Sequence, residues 1–323
     1  MPGRHRPPVT PLFAAIGEIL VDFTPVVEEG RTVGFRMHAG GSPCNVAVAL
    51  ARMGAEVEFV GQASTDFFGR FLVEYLRRES VGTRYLSRSS APSTLAFVAL
   101  VGREPAFTFY GDQAADTLLR PEDLPAGMAA AAVLHFGSIS LLRGTTPATI
   151  AGLVQRLHGR TLLSFDPNIR PSLVGDEPAY RQLLTQVAGA ADIVKMSETD
   201  ARWFAPGHTA EAVAAGVSEL GPALVVITQG ARGAYARTAT VQTHVTAPTV
   251  RVVDTVGAGD VFTAGLLFAF AREGITSRTA LGRLDAQGLD TALRFAAAAA
   301  GLSCMRAGAD PPRLQEIEGF LRR

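Results

Sequence analysis

The stretch Asp254-Thr255-Val256-Gly257-Ala258-Gly259-Asp260, followed by the apolar run 261–271, is the most informative part of the sequence. Its small residues allow a ligand to approach the backbone, and a helix that begins here presents unpaired N–H groups and its positive dipole end. These features favour a bound phosphate. Asp260, in the first turn, is suited to accept a proton from an alcohol that attacks phosphorus. Taken alone, the same residues also suit an ordinary helix start with an aspartate cap.

Outside this stretch, short apolar, β-branched runs alternate with longer segments of helical period. This alternation is typical of βα units, so we expect an α/β fold around a mostly parallel sheet. One helix is expected to have Ser42 at its N-cap, Pro43 at its first position and Gly54 after its end. The strand candidates are 12–16, 57–60, 133–136, 161–165, 193–194 and 224–228.

Two regions break the alternation, because strand-like runs follow one another through turns at 19–37 and 94–110. They predict either a small antiparallel sheet beside the main one or additional edge strands.

The composition excludes several classes of protein. The chain has 323 residues, with 30 Lys plus Arg against 30 Asp plus Glu, so it lacks the net positive charge that nucleic acids or acidic membranes attract. Cys44 and Cys304 are far apart in the sequence, which argues against a zinc site or a disulfide framework and fits a cytoplasmic setting. The apolar run 261–271 is too short to cross a bilayer, and we expect no membrane partner.

Several segments resemble one family. GGSPCNVAVALARMG (40–54) and DTVGAGDVFTAGLL (254–267) are similar to the two signatures of the ribokinase-like (PfkB) sugar kinases. Between them, GEILVDF (17–23), FTFY (107–110), GSISLL (137–142), SFDPNIR (164–170) and ITQGARGAY (227–235) resemble fructokinase-type members, in the same order. The resemblance implies one ribokinase-like domain over 1–323, a three-layer α/β sandwich with a mostly parallel central sheet. It also implies a small β-sheet lid formed by about 18–38 and 94–112.

The resemblance implies transfer of the γ-phosphoryl group of ATP to a sugar hydroxyl. Asp260 would be the catalytic base, and the amides of Gly257, Ala258 and Gly259 would form the anion hole. The implied sugar contacts are Asp22, Gly40, Gly41, Asn45, Tyr110, Asn168 and Arg170. The implied nucleotide contacts are Ser197, Asp200, Thr228, Gly230 and Gly233.

Further partners are implied by the same resemblance. Mg²⁺ is expected to bind mainly through ATP phosphates and water, as its retained hydration allows. A monovalent cation such as K⁺ is expected at Asp254, Val256 and Gly308, although a plain structural turn is an equal alternative there. A homodimer through the lid is also expected.

Two departures from the family pattern bear on the substrate. Ser197 and Asp200 stand where the family often has Asn-x-x-Glu, and Gly111-Asp112 follows Tyr110 where many fructokinase-like members have Arg. We therefore expect a fructokinase-like sugar kinase, with ribokinase or 2-keto-3-deoxygluconate kinase as alternatives. Arg170 or Arg103 would serve as the cationic partner of an acid sugar.

Two other classes of protein are less compatible with these residues. A catalytically silent sugar or nucleotide sensor is the alternative on the same scaffold, and the intact Gly-Ala-Gly-Asp argues against it. A nicotinamide-dependent dehydrogenase is excluded because residues 16–18 do not provide Gly-x-Gly-x-x-Gly.

Overall fold

The computed structural model describes residues 11–101 and 104–323. Its strands, in chain order, are β1 (Leu12–Ile16), β2 (Leu20–Glu28), β3 (Arg31–Gly40), β4 (Glu56–Ser64), β5 (Leu86–Ser89), β6 (Leu95–Val101), β7 (Glu104–Tyr110), β8 (Val133–Gly137), β9 (Leu162–Asp166), β10 (Ile193–Ser197), β11 (Leu224–Thr228), β12 (Ala234–Arg237) and β13 (Gln242–Val245).

The α-helices alternate with these strands over most of the chain. They are α1 (Ser42–Arg52), α2 (Phe67–Arg78), α3 (Thr146–Leu157), α4 (Glu177–Ala190), α5 (Glu198–Phe204), α6 (Ala210–Glu219), α7 (Ala258–Arg272), α8 (Arg278–Leu281), α9 (Ala286–Cys304) and α10 (Leu314–Leu321). Among the described residues, no helix combines the length and apolar character needed to cross a membrane.

The main sheet has nine strands in the order β13-β12-β11-β10-β9-β8-β1-β4-β5. The strands from β11 to β5 are parallel, while β12 and β13 form an antiparallel edge. Along β1, Phe13 and Ala15 belong to one buried cluster and Ala14 and Ile16 to another. Because both faces of the sheet are covered, the protein is a three-layer α/β sandwich, as the sequence predicts.

The predicted strands all lie within strands of the main sheet, apart from their first or last residues. The ranges 12–16 and 224–228 agree with the structure, whereas 57–60 and 193–194 are parts of the longer β4 and β10. Strands buried on both faces consist of apolar residues almost throughout, and this makes them recognisable in a sequence. The edge strands β5 and β13 are polar, and β12 has only four residues, so these three strands give no such signal in the sequence.

A separate sheet of four strands, in the order β3-β2-β6-β7, contains both irregular regions of the sequence. The pairs β2–β3 and β6–β7 are antiparallel hairpins, but β2 and β6 are parallel, so the expectation of an all-antiparallel sheet is wrong. The two hairpins follow β1 and β5, which are parallel strands of the main sheet. Both hairpins therefore leave the main sheet at the carboxyl ends of its strands, and their first strands, β2 and β6, pair in parallel.

Helix α1 begins one residue earlier than the sequence predicts. Gly41 is the N-cap, with φ of 104°, and Ser42 is already helical and makes no capping hydrogen bond. A Cβ atom on Gly41 would lie 2.5 Å from the carbonyl oxygen of Glu18, so this turn requires glycine. The first amide of the helix, that of Ser42, donates to Glu18 Oε1 at 3.0 Å. A distant carboxylate thus replaces the local serine cap.

Candidate active site

A cleft of about 480 Å³ opens at the carboxyl ends of β9, β10 and β11 and at the first turn of α7. Ligands of parallel α/β sheets bind at this edge. The predicted residues that line it are Asn168, Arg170, Ser197, Asp200, Thr228, Gly230, Val256, Gly257, Gly259 and Asp260. Asp166 and Lys195, which are not among the predicted site residues, also line it.

The carboxylate of Asp260 is at the floor of this cleft and is 6% exposed. Its Oδ1 accepts a hydrogen bond from Ser42 Oγ at 2.6 Å, and its Oδ2 accepts one from Asn45 Nδ2 at 2.8 Å. Burial raises the pKa of Asp260 to about 6, although these two hydrogen bonds act in the opposite direction. A carboxyl group with this pKa is ionised near neutral pH and is more basic than an exposed aspartate.

The amides expected to form an anion hole lie at the start of α7. Gly257 is the N-cap in the left-handed conformation, with φ of 74°. Within the described part of the chain, the N–H groups of Gly257 and Gly259 have no hydrogen-bond acceptor, so they are available to an anion. The amide of Ala258 instead donates to the carbonyl of Thr255 at 3.2 Å. Of the three amides expected to form the anion hole, the one of Ala258 is thus engaged by the turn before the helix.

Lys195 is the only lysine among the chain's 30 Lys plus Arg residues. Its ammonium group lies 2.7 Å from Asp166 Oδ2, and the two side chains are 5% and 3% exposed. Burial disfavours the charged form, but the charge of Asp166 outweighs it and raises the pKa of Lys195 overall. A fixed positive charge therefore lies beside the free amides. The feature of the sequence that could have pointed to Lys195 is that the chain has no other lysine.

The loop after β9 directs polar groups into the cleft. Asn168 has φ of 39°, and its amide donates to Asp166 Oδ1 at 3.1 Å. Arg170 Nη1 donates to Asn168 Oδ1 at 2.7 Å, which holds the guanidinium along the wall of the cleft. Asp166 thus ties this loop to Lys195.

Asp22 approaches the same region from the four-stranded sheet. Burial raises its pKa to about 6; Arg170 acts to lower it and Asp260 to raise it, so both of these charged groups lie near Asp22. A Cβ atom on Gly40 would lie 2.1 Å from Asp22 Oδ2, so the paired strand must have glycine there for the carboxylate to fit. The predicted residues Asp22, Gly40, Gly41 and Asn45 are thereby brought near Asp260.

Tyr110 does not join this group. The pairing of β2, β6 and β7 aligns Asp22 with Ala96 and Ala96 with Phe109, whereas Tyr110 pairs with Leu95. Side chains alternate along a strand, so Tyr110 is on the face opposite Asp22, where it is 62% exposed and contacts Phe97. The prediction that Tyr110 contacts the sugar is therefore corrected, because the preceding residue, Phe109, is the one that shares a face with Asp22.

Ser197 and Asp200 begin helix α5 with a reciprocal capping arrangement. Asp200 Oδ2 accepts from the amide and hydroxyl of Ser197, and its Oδ1 accepts from the amide of Ile169 at 2.8 Å. Burial, followed by the charge of Asp166, raises the pKa of Asp200. Both of its oxygens thus bind protein donors, and Asp200 joins α5 to the loop after β9.

Thr228 and Gly230 line the cleft as expected, but Gly233 does not. A Cβ atom on Gly233 would lie 1.9 Å from the carbonyl oxygen of Val245. This glycine is needed for close packing against β13, and its assignment as a nucleotide contact is corrected to a structural one.

The loops expected to hold a monovalent cation meet at Asp254. Its Oδ1 accepts from the amide of Val256 at 3.0 Å and its Oδ2 from the amide of Gly308 at 2.8 Å. The three predicted residues are therefore adjacent. Among the described residues, no group of three or more His, Cys, Asp or Glu side chains is arranged to hold a metal ion.

Comparisons with known proteins agree with this geometry. The pfkB family carbohydrate kinase model matches residues 11–316. A fructokinase of Rhizobium leguminosarum bv. trifolii is 36% identical over 273 residues, which cover 84% of each chain. The structure of Xylella fastidiosa fructokinase with bound ATP has a TM-score of 0.90 at 32% identity and covers 97% of this chain and 99% of its own.

A further solved structure is a double mutant of Vibrio cholerae fructokinase in a form with fructose, ADP and potassium ion. It has a TM-score of 0.87 at 27% identity and covers 98% of this chain and 100% of its own.

Proposed function

The chain belongs to the pfkB family of carbohydrate kinases, and on that basis we propose that it transfers the γ-phosphoryl group of ATP to a hydroxyl group of fructose. The observation that carries the proposal is the position of the buried Asp260 carboxylate in the same helical turn as the free amides of Gly257 and Gly259. A proton acceptor and anion donors within one turn are what phosphoryl transfer to an alcohol requires.

In the proposed reaction, the sugar hydroxyl attacks the γ-phosphorus and Asp260 accepts its proton as the new O–P bond forms. The bond between the γ-phosphorus and the β–γ bridging oxygen breaks, and ADP leaves with the electron pair. A carboxylate is too weak a base to ionise an alcohol beforehand, so the proton moves during the transfer. The amides of Gly257 and Gly259 stabilise the charge on the phosphoryl oxygens, and Lys195 adds a positive charge beside them.

The acidic groups at the cleft indicate how the expected Mg²⁺ would be held. Asp166, Asp200 and Asp260 all line the cleft, and each already binds protein donors through both oxygens. This arrangement fits an ion that retains its water molecules and enters with the nucleotide, and not an all-protein cage. When bound, Mg²⁺ would neutralise phosphate charge, and these three carboxylates would attract its hydrated form.

For the other side of the cleft we propose that Asp22, Asn45 and Arg170 bind the sugar and that Thr228 and Gly230 contact the nucleotide. The four-stranded sheet would act as the lid, because it supplies Asp22.

The junction of Asp254, Val256 and Gly308 would bind K⁺ near the start of α7. Activity that is the same in potassium and in choline salts would contradict the potassium part.

The lid also suggests an oligomer. Val33, Phe35 and Tyr110 are 57%, 47% and 62% exposed on the four-stranded sheet, and an exposed apolar face of this kind favours association. We propose a homodimer through this face. Analytical ultracentrifugation of the wild type and Phe35→Ser tests it, and a monomeric wild type would contradict it.

The kinase proposal is tested by coupled ADP release with fructose, ribose and 2-keto-3-deoxygluconate. We expect turnover of fructose and its loss in Asp260→Asn, in which kcat should fall about 10²–10⁴-fold while folding and ATP binding persist. No ADP release above background with any sugar would contradict the proposal and favour a silent sensor.

Preference for the acid sugar would favour 2-keto-3-deoxygluconate kinase, with Arg170 as the cationic partner. Arg170→Leu should then lose far more activity on the acid than on neutral sugars. The other cation considered for this role, Arg103, lies outside the described residues.

A further inference from the structure

Asp260 is held from helix α1 by two side chains of different accessibility. Ser42 Oγ donates to Oδ1 at 2.6 Å in a fully buried contact, whereas Asn45 Nδ2 donates to Oδ2 at 2.8 Å in a contact that is only partly buried. Ser42 itself is 6% exposed. A ligand can therefore approach the Oδ2 side of the carboxylate, while the Oδ1 side faces protein.

Ser42 is in turn fixed by the main domain. Its amide donates to Glu18 Oε1 at 3.0 Å, and Glu18 is 1% exposed and also accepts from the amide of Ser140 at 3.2 Å. Because the backbone of Ser42 is held in this way, its hydroxyl group approaches Asp260 from a defined direction. Asn45 has no comparable second hydrogen bond from its side chain among the described residues.

We propose that Ser42 is a positioning residue for the base: its hydroxyl holds Oδ1 of Asp260 so that Oδ2 is the oxygen that receives the sugar proton. On sugar binding, Asn45 turns its amide from Oδ2 to the sugar, and the attacking hydroxyl takes its place. The O–H bond of that hydroxyl breaks, its proton goes to Oδ2, and Ser42 keeps its own proton throughout. This inference rests on the proposed kinase function.

The charges around Asp260 determine how the role of Ser42 can be measured. Asp166 and Lys195 face it from β9 and β10, Asp22 faces it from β2, and the thiol of Cys44 faces it from α1. These groups remain when the hydroxyl of Ser42 is removed. The hydrogen bond from Ser42 favours the ionised carboxylate, so its loss raises the pKa of Asp260 further.

The test compares Ser42→Ala with Ser42→Thr, which keeps the hydroxyl group. We expect Ser42→Ala to move the acidic limb of the kcat profile to higher pH by about one unit and to lower kcat near pH 6 about fivefold. The KM for the sugar should change less than about twofold, because Ser42 does not contact substrate. Ser42→Thr should keep the wild-type limb.

An acidic limb in Ser42→Ala that coincides with the wild-type limb would overturn the proposal. So would a loss of kcat that is equal at all pH values and is not restored by Ser42→Thr. The pKa of Asp260 can also be followed by its carboxyl-carbon NMR signal, assigned by its absence in Asp260→Asn. This titration needs no turnover, so an unshifted signal in Ser42→Ala contradicts the role of Ser42, whereas an inactive wild type contradicts the kinase proposal.

Discussion

The ammonium nitrogen of Lys195 lies 3.0 Å from the position that a Cβ atom on Gly259 would occupy. The chain's one lysine is therefore in contact with the turn that supplies the free amides of the anion hole. Its buried partner, Asp166, holds it there at 2.7 Å. An arginine needs more room and presents a planar group, so it is not equivalent at this position.

Replacing Lys195 should affect both stability and turnover. In Lys195→Met the carboxylate of Asp166 stays buried without its cation, which should cost about 3–5 kcal/mol in the free energy of unfolding. The double variant Lys195→Met/Asp166→Asn should recover part of this stability but not kcat, because the positive charge is still missing. Urea unfolding and kcat measured on the same samples check both expectations. Recovery of kcat in the double variant would show that Lys195 only balances Asp166.

Turnover should depend on pH through the base. Burial raises the pKa of Asp260 to about 6, so the carboxyl group is protonated and inactive below that pH. We expect kcat to rise with pH up to about 6 and then to level, falling about tenfold for each unit below. Since Asp22 has a pKa of about 6 from burial and faces Asp260, the profile of kcat/KM should be steeper than that of kcat. A kcat that is constant from about pH 5 to pH 8 would be incompatible with Asp260 as the base.

Glu18 should make the protein less stable as pH rises. Burial raises its pKa from 4.5 to about 7, so the folded state retains a proton that the unfolded state has lost between these values. The free energy of unfolding should then decrease across this range, by an amount on the order of a few kcal/mol. Glu18→Gln, which resembles the protonated acid, should flatten the decrease. Urea unfolding at about pH 5 and pH 7.5 measures this decrease in the free energy of unfolding. An equal decrease in the wild type and in Glu18→Gln would refute the prediction.

Gly40 and Gly34 provide a matched pair within strand β3. A Cβ atom on Gly40 would displace the Asp22 carboxylate, whereas one on Gly34 would meet no atom within 4 Å. We expect Gly40→Ala to raise the KM for the sugar about tenfold or more, the scale expected when a hydrogen bond to a charged group is lost. Gly34→Ala should leave KM unchanged. Steady-state kinetics with both variants decide this, and equal KM values would mean that Asp22 does not bind the sugar.

The parts of the site that the sequence predicted are those in which the signal is local. The glycines and aspartate of 254–260 form a helix start. Strands β1 and β11 are short apolar runs, and the end of β11 places Thr228 at the cleft. These features depend on neighbouring residues in the chain, so a pattern within a few residues is sufficient to find them.

The errors concern partners that are distant in the sequence. Ser42 was expected to cap its own helix, yet its hydroxyl binds Asp260, which is 218 positions away. Tyr110 is a sugar contact only by the family resemblance of 107–110, and the face on which its side chain lies depends on the pairing of β7 with β6 and of β6 with β2. The role of Glu18, which binds Ser42 and Ser140, likewise cannot be found from local periodicity.

The solitary lysine has a practical consequence for labelling. Acylating reagents attack the uncharged amine, whereas Lys195, the one lysine of the sequence, is 5% exposed and paired with Asp166. Its raised pKa keeps the amine protonated, so the folded protein should resist acylation at this side chain. Acylation of Lys195 would therefore report loss of the ion pair or unfolding, and mass spectrometry could follow it on a single peptide.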